Sequence, residues 1–64
     1  MNDFKKLLEK KNLSYSAVAN LTGISERTIE RYANGISMPT WENAKKIFSL
    51  FRNEKIDFLT FFGN

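Results

Sequence analysis

The chain of 64 residues has no cysteine and no histidine, a single proline and only three glycines. Without cysteine no disulfide can staple a domain this small, and zinc would have to bind through carboxylates alone. No metal and no other cofactor is therefore expected. The same absences remove the thiolate and the imidazole from nucleophilic and acid–base chemistry. No glycine-rich loop is present to cradle a phosphate, and the chain is too short to wall a substrate cleft, so an enzyme is not expected. No apolar run approaches the roughly 18 residues of a membrane span, and no membrane partner is expected. The lysines near the N-terminus have no long apolar run behind them, so the start does not read as a secretory signal. Strict apolar–polar alternation is missing too, as are repeats, low-complexity tracts and linkers. The lack of cysteine suits a reducing cytoplasm.

What the chain does have is aromatic. Six Phe, two Tyr and one Trp make up 14% of it, and aromatics bury the largest area per residue. A domain of this length buries only about 60% of its unfolded surface. Packing, helped by dimerisation, has to supply the stability, and a single domain over residues 1–64 is expected. The net charge of +3 favours an anionic partner. It is spread out: Lys5, Lys6, Lys10 and Lys11 outweigh Asp3 and Glu9, whereas Arg27 and Arg31 are matched by Glu26 and Glu30.

Apolar residues recur at intervals of three and four, which predicts an all-α fold of four to five helices. The helices are placed at about 2–11, 15–22, 26–34 and 41–51, with a short one over 57–62. Asn2, Ser14, Ser25, Thr40 and Asp57 stand where N-caps belong. Asn12 and Gly23 can take the left-handed conformation that ends a helix, and "NG" at Asn34-Gly35 is a stop signal. Phe4, Leu7 and Leu8 face inward from the first helix, Val18, Ala19 and Leu21 from the second, and Ile29, Tyr32 and Ala33 from the third. Trp41, Ala44, Ile47, Phe48 and Phe51 form the apolar side of the fourth.

The stretch "LTGISERTIERYANG" sets a lone glycine between two short amphipathic patterns. Two short helices joined by a turn of three to four residues containing glycine form a helix-turn-helix. Ala19 is small enough for a close crossing, and Ile29 can hold it. Residues 15–35, "YSAVANLTGISERTIERYANG", resemble the Cro/repressor (Xre-like) helix-turn-helix family through Val18-Ala19, Gly23, Ile24, Ile29, Tyr32 and Asn34-Gly35. "MPT" and an amphipathic helix follow, as they do in that family. The family often has Gln where this chain has Tyr15. The "FRNEK" join before the last helix is also longer than usual, so the family's dimer geometry does not carry over directly.

The resemblance implies a lambda-repressor-like DNA-binding domain whose third helix enters the major groove of double-stranded DNA. The positions that would meet base edges are Glu26, Arg27, Thr28 and Arg31. Arginine can pair in bidentate fashion with guanine O6 and N7, and glutamate can accept from cytosine N4. Ser14, Tyr15, Ser16, Asn34, Ser37 and Thr40 would meet the DNA backbone, although capping alone explains Ser14 and Thr40. A plainer reading stands beside this one. Glu26, Arg27, Glu30 and Arg31 are also spaced as i,i+3 and i,i+4 ion pairs on a solvated face. Phe58, Phe61 and Phe62 form either a homodimer contact or the last part of the monomer's own core. The function implied is a Cro-like repressor that binds a pseudo-palindromic operator as a dimer, in the bacterial cytoplasm at the nucleoid. A protein-interaction module of the same fold, such as an antirepressor or an antitoxin with a protein partner, is the alternative. With no second domain, no ligand sensor is expected.

Overall fold

The computed structural model describes residues 2–63, so the two ends of the expected 1–64 domain lie outside the described residues. Five α-helices follow one another without an intervening strand among those residues: α1 (Asp3–Lys10), α2 (Tyr15–Thr22), α3 (Glu26–Ala33), α4 (Trp41–Phe48) and α5 (Phe58–Phe61). A 3-10 turn, Ser49–Phe51, continues α4. The fourth helix was expected to stay α-helical through residue 51, but its last turn tightens. Tightening of this kind is common where the last carbonyls of a helix lack partners.

Each helix begins with a side chain that satisfies a free backbone N–H. Asn2, Ser14, Ser25 and Thr40 accept from the N–H three residues on, and Asp57 accepts from Leu59 N–H. The exits are equally defined. Asn12 stands at φ 56°, where asparagine is the best tolerated residue after glycine. It donates to Glu9 O, and Leu13 N–H returns to Leu8 O at 2.8 Å. Gly35, at φ 71°, repeats this arrangement after α3: it donates to Tyr32 O, and Ile36 N–H reaches Arg31 O at 2.9 Å. Both pairs close Schellman motifs.

Phe4, Leu8, Val18, Ile29, Ile47 and Phe62 are the largest fully buried side chains, so the core draws on α1 to α4 and on the residue after α5, with Phe61 adding α5 itself. The tail is part of that core. Phe62 sits 5.3 Å from Phe4 and 5.8 Å from Phe48, and Phe61 sits 5.4 Å from Phe4, measured between ring centroids. Of the two readings open for Phe61 and Phe62, a dimer contact or the monomer's own core, their burial fits the second. The physical reason is α1, whose buried Phe4 packs against both rings. Phe58 is half-buried and rests on Phe48 and Trp41. Trp41 departs from its expected inward position, being 63% exposed. At the first position of α4 it stands 6.5 Å from Phe48 and 6.0 Å from Phe58 between ring centroids, and leaves most of its surface to solvent. Leu21, in the last turn of α2, is also exposed rather than buried.

One buried polar residue ties the start of the chain to its middle. Asn2 is almost completely buried. Its Oδ1 accepts from Lys5 N–H at 2.9 Å while its Nδ2 donates to Tyr32 O at 2.7 Å. Both ends of the amide are used, so its burial carries no unpaired group. Tyr32 also has its hydroxyl fixed, accepting from Asn43 Nδ2 at 3.0 Å. The end of α3 is therefore gripped from α1 on one side and from α4 on the other.

Candidate nucleic-acid interface

The path from sequence to site runs through the turn between α2 and α3. Gly23 takes φ 78°, and its N–H returns to Ala19 O at 2.8 Å, ending α2. A Cβ at this glycine would meet nothing within 4 Å. Gly23 is required for its backbone angle and not for close approach. Thr22 reinforces the turn, its hydroxyl donating to Val18 O and accepting from Ile24 N–H. Ile24 is buried, and Ser25 caps the next helix at once. Ile29, Tyr32 and Ala33 then face inward as expected.

The opposite side of α3 carries Glu26, Arg27, Glu30 and Arg31, all exposed. Among the described residues no ion pair within 4.0 Å joins any two of them; the pairs that form are Lys11–Glu54 and Lys46–Glu42. The charged face is not explained by internal pairing. With its side chains an α-helix is about 10–12 Å across, which fits the roughly 12 Å width of the major groove. Arg27 and Arg31, four residues apart, are separated by about 6 Å along the axis.

The remaining candidates fall into groups. Thr28 is half-exposed, and its hydroxyl accepts from Ser25 Oγ at 2.8 Å, which leaves its own proton as a donor. Ser14 and Tyr15 line one open cleft of about 350 Å³ together with Glu26 and Lys5. Ser14 Oγ accepts from Ala17 N–H, so its lone pairs serve the cap, and Ser16 is exposed beside it. Tyr15 is half-buried, with its ring packed against the core. Ser37 Oγ accepts from Arg31 Nε at 3.2 Å. Asn34 accepts from Lys5 Nζ at 3.0 Å and donates to Glu30 O at 3.0 Å. Thr40 stands apart from these, occupied in capping α4.

Lys5 is the residue the sequence did not single out. In the sequence it is one of four lysines in a spread-out charge balance, yet it lines the cleft with Tyr15 and Glu26 and reaches the end of α3 through Asn34. Its spacing within α1 gave no signal, because the contact depends on how α1 crosses α3. No group of His, Cys, Asp and Glu able to hold a metal exists among the described residues. No described helix is long and apolar enough to cross a membrane.

The family model describing Cro/C1-type (Xre-like) helix-turn-helix domains matches residues 4–59. No match was found among curated proteins or among solved structures.

Proposed function

The chain belongs to the Cro/C1-type (Xre-like) helix-turn-helix family and is a DNA-binding regulatory domain; from that premise we propose that it is a sequence-specific repressor acting in the cytoplasm on a pseudo-palindromic operator. The observation that carries this reading is the outward face of α3. Arg27 and Arg31 project from it without carboxylate partners among the described residues, so no ion pair described there must break before they meet DNA.

In this reading Arg27 and Arg31 each pair with a guanine, Glu26 accepts from a cytosine N4, and Thr28 touches a thymine methyl or a phosphate. Phosphates are met by Tyr15, Ser16 and Ser37, and by the first N–H groups of α2. Ser14, Asn34 and Thr40 contribute mainly by holding the backbone in place. Lys5 joins the phosphate contacts, because it lies beside Tyr15 and keeps donors to spare after binding Asn34.

Two copies would sit on half-sites about 34 Å apart. With Phe61 and Phe62 inside the core, the contact between copies is assigned to the exposed side of the tail, where Leu59 is 74% exposed and follows Phe58, whose ring meets the exposed Trp41. The same exposed apolar residues favour a second reading, in which the domain binds a protein partner in the manner of an antirepressor or antitoxin. Alanine at both Arg27 and Arg31 separates the two, because it removes DNA reading and leaves a partner contact through the tail intact.

Selection from random duplex DNA, followed by binding at several salt concentrations, tests the proposal. Recovered sites should be two-fold symmetric, and affinity should fall steeply with salt as counterions are released. Arg27→Ala should relax preference at one base pair in each half-site by roughly ten-fold. No preferred sequence at low salt would sink the repressor reading.

A further inference from the structure

We infer that Ser37 is a positioning residue for Arg31, holding its guanidinium so that the two terminal nitrogens alone present the fork to guanine. This inference rests on the DNA-reading role of α3. It assigns Ser37 a task different from the phosphate contact expected of it.

The geometry begins with the backbone. Gly35 in the left-handed region lets Ile36 N–H close onto the carbonyl of Arg31 itself, at 2.9 Å. The chain thereby doubles back over the last turn of α3, and the next residue, Ser37, comes to lie beside the Arg31 side chain. There its Oγ accepts from Arg31 Nε at 3.2 Å. Guanidinium has five N–H donors in one plane, one on Nε and two on each terminal nitrogen. It can approach guanine side-on, with Nε and one terminal nitrogen, or end-on, with both terminal nitrogens. Ser37 occupies Nε and so removes the side-on choice.

Holding Arg31 this way also reduces the rotamer freedom that a long side chain loses on binding. In water the contact competes with solvent at an exposed position. In the groove, where water is displaced, it strengthens. The Ser37 hydroxyl keeps its own proton, since it accepts from Arg31. That proton can go to a phosphate, which would link backbone contact and base contact through one oxygen. Arg27 has no such brace among the described residues, so the two arginines are not equivalent readers.

The experiment uses the full chain and the duplex selected by the unaltered protein, with a panel in which each base pair is changed in turn. Arg31→Ala first identifies the base pair that Arg31 reads, as the position where discrimination falls by roughly ten-fold. Ser37→Ala should lower discrimination at that same base pair by about three- to ten-fold and leave the Arg27 position unaltered. Ser37→Thr, which keeps the hydroxyl, should restore it. In the Arg31→Ala background, Ser37→Ala should cause no further loss of discrimination. Ser37 caps no helix, and thermal unfolding checks that each variant is folded. Equal weakening of all duplexes by Ser37→Ala would make Ser37 a phosphate contact only and overturn the inference. So would unchanged discrimination. If Arg31→Ala itself changes no preference while Ser37 is intact, the reading of α3 fails as well, and the two failures are told apart by that variant.

Discussion

Between Ser14 and Ile36 each change of chain direction is made by one residue acting on the backbone, whereas between Trp41 and Phe62 the chain is held by rings. In the first region Ser14, Gly23, Ser25 and Gly35 act through caps and left-handed angles. In the second, Phe48 stacks on Phe62 with an interplanar angle of 26° and meets Phe58 and Phe61 edge-on. The difference separates two tasks. Local backbone chemistry aims α3, and distant aromatic packing keeps the domain folded. A substitution in the tail should therefore change stability far more than it changes DNA preference. A substitution on the outer face of α3 should do the reverse.

The largest expected effect lies in the aromatic region. Phe62→Ala removes a fully buried ring, at a cost of about 3–5 kcal/mol. A core this small rarely supplies more than about 3–5 kcal/mol in total. Urea unfolding should show a chain largely unfolded before denaturant is added. A cooperative transition with an unaltered midpoint would erase the distinction between the two regions.

A smaller effect is expected at the turn. Gly23→Ala meets no atom within 4 Å, so only the positive φ resists it. The loss should be about 1 kcal/mol, or roughly 4–8 °C in melting temperature for a domain of this size. Steric crowding at the α2–α3 junction would instead produce a much larger drop in a calorimetric scan.

The smallest effect on folding is expected at Leu59. It belongs to the tail but is exposed, so Leu59→Ser should alter unfolding free energy by less than about 0.5 kcal/mol. Sedimentation of the protein on a two-half-site duplex should nonetheless show weaker pairing of copies. Undiminished pairing would remove the exposed side of α5 from the interface.

How much could be read from the chain follows the same division. The positions of α1, α2 and α3 were legible because caps and left-handed residues act over three or four positions. The outward placement of Arg27 and Arg31 followed from the period of the helix. Phe61 and Phe62 could not be assigned from local pattern, because Phe4, more than fifty positions away in sequence, decides their burial. Trp41 was misjudged for a related reason. Its spacing placed it on the inner side of α4, while its position at the helix start leaves it at the rim of the ring cluster. Asn2 was legible as a cap, but its hydrogen bond to Tyr32 was not. Lys5 and the brace between Ser37 and Arg31 likewise depend on where separate segments meet.

The way α3 ends also bears on how the protein ages. Asparagine followed by glycine readily loses its amide when the glycine nitrogen attacks the side-chain carbon. Here the Gly35 nitrogen is engaged with Tyr32 O, and the Asn34 amide is held by Lys5 at its oxygen and by the Glu30 carbonyl at its nitrogen. The fold thus shields a chemically weak bond with the same contacts that shape the end of α3. Peptide mapping after incubation with and without urea should find aspartate or isoaspartate at position 34 accumulating mainly in the unfolded sample. In the folded domain, chemical lifetime would then be set by how often the end of α3 opens.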